Sequence, residues 1–132
     1  KYVEQTVLYN NQNPYTIVLM VPNKDALKEY VRKSDPSLDP DSREAKIMML
    51  KKLQAEVDSY KKGGVHEGMF PERWLPSVIA VLPEPFTERN GLVNSTMKIV
   101  RGKVEKYYAD RIDYAYTPEG KELTNEKNIQ SL

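Results

Sequence analysis

The apolar run IVLMV at residues 17–21 offers no polar side chain to either face of an extended strand, so it has to lie inside a sheet. It is preceded by YVEQTVLYN, rich in β-branched and aromatic residues, and the two are joined through NQNP. An Asn/Pro turn between two such runs predicts a β-hairpin. A second short apolar run, SVIAVLP, predicts a third strand that Pro83 and Pro85 bring to a stop.

Helical spacing fills the intervals. Asn23 is placed to cap a short helix over KDALKEYVRK, with Ala26, Leu27, Tyr30 and Val31 on one face. SDPSLDPD breaks it. A longer helix is predicted over residues 42–62, opened by Asp41 with Glu44 three residues on and carrying Met49, Leu53, Val57 and Tyr60 as its apolar stripe. Lys61, Lys62, Gly63 and Gly64 close it. A last helix is predicted over residues 97–116, with Val100, Val104, Tyr108, Ile112 and Ala115 at helical spacing. The polar remainder, 117–132, reads as a loosely held tail. This order of elements describes one α+β domain: a small mixed or antiparallel sheet, the hairpin plus a third strand, flanked by about three helices.

Composition narrows the chemistry. Twenty Lys and Arg against nineteen Asp and Glu leave a net charge of +1, which gives no basic excess for nucleic acid. The absence of cysteine removes disulfides, thiolate nucleophiles and thiolate metal sites, and is compatible with a reducing, cytoplasmic setting. No apolar run approaches the ~20 residues that span a bilayer, which leaves only peripheral association with a membrane open. The chain opens on Lys1 and enters strand-like sequence at once, as a piece of a longer protein would.

Candidate sites are few. His66 is the only histidine, and although Glu67 and Glu72 are near in sequence, their spacing matches no metal site, so it reads as an ordinary loop histidine. Phe70 and Trp74 lie in FPERWLP, which reads as a lid on the sheet edge or as a protein-recognition loop. Tyr107, Tyr108, Tyr114 and Tyr116 sit on a helix and make no stacking platform for bases. The remaining feature is NSTMKIVRGK, where Ser95 or Thr96 would cap the last helix and Lys98 would stand in its first turn with Arg101 on the same face. A cation there opposes the helix dipole, so either it is simply solvated at a small cost or an anion visits.

Together with its preceding loop, this stretch, ERNGLVNSTMKIVRGKVEKYYADRIDYAY, resembles the closing phrase of long-chain fatty-acid CoA ligases of the acyl-adenylate-forming (AMP-binding) superfamily. Asn90, Gly91, Leu92, Thr96, Met97, Lys98, Arg101, Val104, Tyr107, Ile112, Asp113 and Tyr116 carry the resemblance, and the hairpin followed by VPN and the long charged helix extend it toward the start of the chain. It implies that residues 1–116 are the mobile C-terminal lid of such a ligase. Lys98 would reach the ATP phosphate and the substrate carboxylate during adenylation, with Arg101 and Lys103 as secondary contacts to nucleotide or CoA phosphates. The implied partners are the N-terminal adenylating domain, fatty acid, ATP and CoA, with Mg entering on ATP and bound mainly outside this chain. Where the family phrase has Thr-Pro-Thr, this chain has Asn94, Ser95 and Thr96, which exchanges a stiffening proline for residues that cap by hydrogen bonding. Neither the hinge nor the ATP-binding domain of that family is among these residues, so they are expected to be inactive alone. Two other readings remain open at this point: a free-standing protein-binding module working through Trp74, and an adenylating enzyme for another carboxylate.

Overall fold

The computed structural model describes residues 2–10, 15–60, 64, 68 and 76–132. Three strands, β1 (Val3–Tyr9), β2 (Ile17–Pro22) and β3 (Val78–Val81), form a mixed sheet in the order β1-β2-β3. β1 and β2 pair antiparallel, with Val7 opposite Leu19, and β3 runs parallel to β2, with Leu19 opposite Ala80. The apolar run is therefore the central strand, and every residue of β2 is buried.

Strand periodicity sorts the core into two. Val7, Ile17, Leu19, Val21, Val78, Ala80 and Leu82 face one way, against Leu92, Val104, Tyr108, Ile112 and Ala115. Val18, Met20, Ile79 and Val81 face the other way, against Leu27, Val31, Met49, Leu50, Leu53 and Ile129. Helices thus cover both faces of β2 and β3, which is why those strands need no polar side, whereas β1 at the edge exposes Glu4, Thr6 and Leu8.

One cover is built from α1 (Lys24–Ser34) and α2 (Arg43–Asp58). The Asn23 side chain caps α1 by accepting from the Ala26 N–H, as its sequence position predicts. The cap of α2 is Ser42, which accepts from Ala45 N–H, and not Asp41. Asp41 pairs with Lys28 of α1 instead, at 3.3 Å. Lys61, Lys62 and Gly63, expected to close this helix, lie outside the described residues.

The other cover is where the expectation of a single helix over 97–116 is corrected. Helix begins only at α3 (Arg101–Tyr107), breaks at Tyr108, and resumes as α4 (Ala109–Ala115). Hydrogen bonds from Tyr108 N–H to Val104 O and from Ile112 N–H to Tyr108 O carry the ladder across the break, so Val104, Tyr108 and Ile112 still bury on one side. The expected loose tail is also corrected. Residues after Thr117 fold into α5 (Pro118–Lys121) and α6 (Glu126–Gln130), capped by Thr117 and Asn125, and fully buried Asn128 anchors them to the sheet. The described helices number six rather than about three, and the α+β class stands.

Candidate functional site

Lys98 stands on a tight turn ahead of α3, not in a helix. The side-chain oxygen of Asn94 accepts from the Thr96 N–H at 3.0 Å, the Lys98 N–H at 3.0 Å and the Thr96 hydroxyl at 2.7 Å. The Asn94 N–H in turn donates to the Lys98 carbonyl at 2.9 Å, and Met97 takes the left-handed conformation at φ 63°. A side chain that satisfies these amides competes with helix formation, which is the physical reason the helix starts late. On either side of the turn Val93 and Ile99 form an antiparallel bridge, and Val100 N–H donates to Leu92 O. Because Leu92 and Val93 are buried, the turn grows out of the core while residues 94–99 are exposed.

The preceding loop is fixed by the same device. Asn90 accepts from the Thr87 and Leu92 N–H groups and donates to the Pro85 carbonyl, and Gly91 supplies the positive φ of 77° that the turn requires. Gln5 of β1 exchanges two hydrogen bonds with the Phe86 backbone, tying this loop to the sheet. Sequence reasoning missed the role of Asn94 and Asn90. The signal was present, since Asn is the residue that most readily folds its side chain back onto the amides that follow it.

The structure separates the three cations that the sequence groups together. Lys98 and Lys103 are exposed, and among the described residues neither ammonium pairs with a carboxylate. Arg101 is engaged: it donates to the Leu8 carbonyl at the end of β1 and pairs with Glu105 through Nε at 3.7 Å. It thereby lines a cleft of about 380 Å³ with Tyr9, Asn10, Glu105, Ile112 and Asp113. The helical i, i+3 relation expected of Lys98 and Arg101 is absent, because only Arg101 is helical. Ser95 and Thr96 do not cap α3; Val100 occupies the cap position, without a side-chain bond.

His66, Glu67, Phe70, Glu72 and Trp74 lie outside the described residues. Among the described residues no cluster of His, Cys, Asp or Glu could hold a metal ion, and no helix is long and apolar enough to cross a membrane. What the described surface presents is one ammonium on a turn whose backbone is fixed at both ends, with exposed Met97 and Ile99 beside it. Such a group is suited to enter an anionic site as a unit with the domain that carries it.

The fold and this turn define a small α/β/α-layered domain with an exposed lysine on a braced turn. No protein-family model matches the chain. It is 25% identical over 120 residues to fatty acyl-CoA synthetase B of Dictyostelium discoideum, covering 89% of this chain and 17% of that protein. It is 24% identical over 116 residues to long chain acyl-CoA synthetase 8 of Arabidopsis thaliana, covering 87% and 16%. In fold it is similar to the adenylation domain of a carboxylate reductase from Mycobacterium chelonae, with a TM-score of 0.53 at 23% identity, over 87% of this chain and 16% of that one. The adenylation and carrier didomain of a carboxylic acid reductase from Segniliparus rugosus gives a TM-score of 0.58 at 24% identity, over 87% and 14%. These likenesses indicate the acyl-adenylate-forming, AMP-binding superfamily. The chain spans less than a fifth of the length of each protein it matches.

Proposed function

We propose that this chain is the C-terminal domain of a long-chain fatty-acid CoA ligase and closes over an N-terminal adenylating domain. In the reaction, fatty acid and ATP give acyl-AMP and pyrophosphate, and CoA then displaces AMP to give the acyl-CoA. The observation that carries this reading is the exposed Lys98 on its Asn94-braced turn, at the position where the resemblance puts the adenylating lysine. The likeness to two acyl-CoA synthetases along most of the chain supports it.

As pyrophosphate departs, negative charge builds on the α-phosphate and bridging oxygens, and an ammonium placed there lowers the barrier by about 2.7 to 4 kcal/mol. Rotation of the domain would withdraw Lys98 and free the site for CoA. Lys103 is free to meet a nucleotide or CoA phosphate, whereas Arg101 reaches one only by giving up Leu8. Magnesium would arrive with ATP and be held mainly in the larger domain. A cytoplasmic site of action fits a chain without cysteine.

The test is fatty-acid-dependent exchange of pyrophosphate into ATP by the full-length protein and its Lys98→Ala variant. The expected result is a loss of about a hundredfold or more, with thioester formation from preformed acyl-AMP spared. Equal exchange in the two proteins would remove Lys98 from the reaction.

A further inference from the structure

Gln5 shares a face of β1 with Val7 and Tyr9, both of which pack into the core beneath α3 and α4. An amide on such a face is costly unless both its polar atoms are bonded. Both are: Nε2 donates to the Phe86 carbonyl at 3.2 Å, and Oε1 accepts from the Phe86 N–H at 2.7 Å. Gln5 thus exchanges with Phe86 the pair of hydrogen bonds that a residue of a neighbouring strand would exchange. The register of β1 slips between Val3 and Gln5, an irregularity of the kind that re-aims a side chain.

Phe86 is itself buried, with its ring 6.4 Å from that of Tyr108. The chain reaches it from β3, on the far side of β2, and so has crossed the sheet before it meets β1. From Phe86 it runs through the Asn90 loop and the Lys98 turn and then comes back to the same strand, where Arg101 donates to the Leu8 carbonyl. Gln5 and Leu8 are about 10 Å apart along β1 at the ordinary rise of a strand. Residues 86–101 therefore leave and rejoin one strand as an Ω-loop does, with Leu92 and Val93 as its buried filling.

The two ties act on a different level from Asn94. Asn94 makes the turn around Lys98 rigid within itself, whereas Gln5 and Arg101 fix the whole loop against the sheet. Glu105 holds the Arg101 guanidinium from its other side, at 3.7 Å from Nε, so two contacts within the fold engage this cation.

We propose that Gln5 and Arg101 are positioning residues, which together mount the 86–101 loop on β1 and so set where Lys98 arrives when the domain closes. The catalytic consequence rests on the ligase reading. Arg101 then belongs to the scaffold of the lysine and not to a phosphate.

The test pairs amide hydrogen exchange with fatty-acid-dependent pyrophosphate exchange in the full-length natural protein and its Gln5→Ala and Arg101→Ala variants. In either variant the amides of 86–100 are expected to exchange at least about tenfold faster, while those of 17–21 keep their wild-type rates and report an intact fold. The kcat should fall by about fivefold or more at a nearly unchanged KM for ATP. Gln5→Glu keeps the oxygen that accepts from Phe86, and should lose less than Gln5→Ala. In a Lys98→Ala background neither variant should cost anything further. If Gln5→Ala loosens 17–21 as well, Arg101→Ala decides, because the Arg101 side chain is 60% exposed and its loss leaves the core untouched. Unchanged amide exchange over 86–100 overturns the mount, and faster exchange with undiminished kcat overturns the positioning role. A raised KM for ATP in Arg101→Ala also overturns it, by placing Arg101 on the nucleotide. Failure of the ligase reading is seen separately, as wild-type pyrophosphate exchange by the Lys98→Ala protein alone.

Discussion

The side-chain amide of Asn128 pairs with Val81 as a neighbouring strand would: its Oδ1 accepts the Val81 N–H at 2.9 Å, while its Nδ2 donates to the Ile79 carbonyl at 3.0 Å. The otherwise open edge of β3 is thus closed by one residue of α6. Nδ2 also donates to Leu123 O, and Oδ1 takes the bond from Arg111. Buried backbone groups left without partners cost about 1–3 kcal/mol each. Asn128→Ala should therefore destabilise the chain by about 3 kcal/mol in a denaturant melt. Amide exchange across 78–82 should accelerate in the same variant. Unchanged exchange there would show that Asn128 does not hold the edge.

The tail is held a second time by close approach. A Cβ on Gly120 would sit 1.8 Å from the Tyr114 carbonyl oxygen, with backbone on both sides of the contact and no flexible side chain to yield. Ala normally improves a helix by about 1 kcal/mol over Gly. Gly120→Ala should instead cost at least about 2 kcal/mol, since α5 must lift away from α4. Combined with Asn128→Ala, the loss should be smaller than the sum of the two, because both release the same segment. Equilibrium melts of the single and double variants provide the comparison.

Much of this architecture was legible in the sequence, because burial there follows periodicity. The both-faces-apolar run 17–21 gave the central strand, and the spacing of Val104, Tyr108, Ile112 and Ala115 gave a buried face that survives the break at Tyr108. Two features escaped, both for polar reasons. The tail docks through an amide rather than an apolar stripe, so hydropathy was silent, although Thr117 followed by Pro118 is a helix start of the cap-then-proline kind. The turn before α3 is decided by Asn94 bonding the amides that follow, an alternative that reads in sequence much like a helix cap. The backbone support around Lys98 was therefore not legible in the sequence.

Tyr108 makes stability depend on alkaline pH. Burial, with Glu84 and Tyr107 adding to it, pushes its hydroxyl up to about 12, against about 10 in an unfolded chain. Between these values the unfolded state gives up a proton that the folded state keeps, so this contribution to stability is complete below pH ~10 and lost as pH rises toward 12. Arg111 acts with the opposite sign, because burial lowers its folded pKa to about 10. The wild-type profile should be flattened by this opposition, and Tyr108→Phe should gain on wild type steadily as pH rises from about 10 to 12. A parallel pair of melting curves would mean that Tyr108 ionises as freely as in an unfolded chain. The ultraviolet tyrosinate difference between the two proteins should have its midpoint near 12.

Asn94 gives the functional proposal a test apart from Lys98 itself. Its Oδ1 fixes the Lys98 amide and the Thr96 amide and hydroxyl, so Asn94→Ala would leave the ammonium in place chemically but loosen the backbone that aims it. Misplacement by about 1 Å can cost as much as a hundredfold in rate. A partial loosening should lower kcat for pyrophosphate exchange by about tenfold, with KM for ATP nearly unchanged. Asn94→Asp keeps the accepting oxygen, and should recover most of that loss. In a Lys98→Ala background, Asn94→Ala should cost nothing further, because a positioning residue has no effect once the group it positions is gone. An independent loss in that background would place Asn94 in contact with the substrate and give the turn a chemistry of its own.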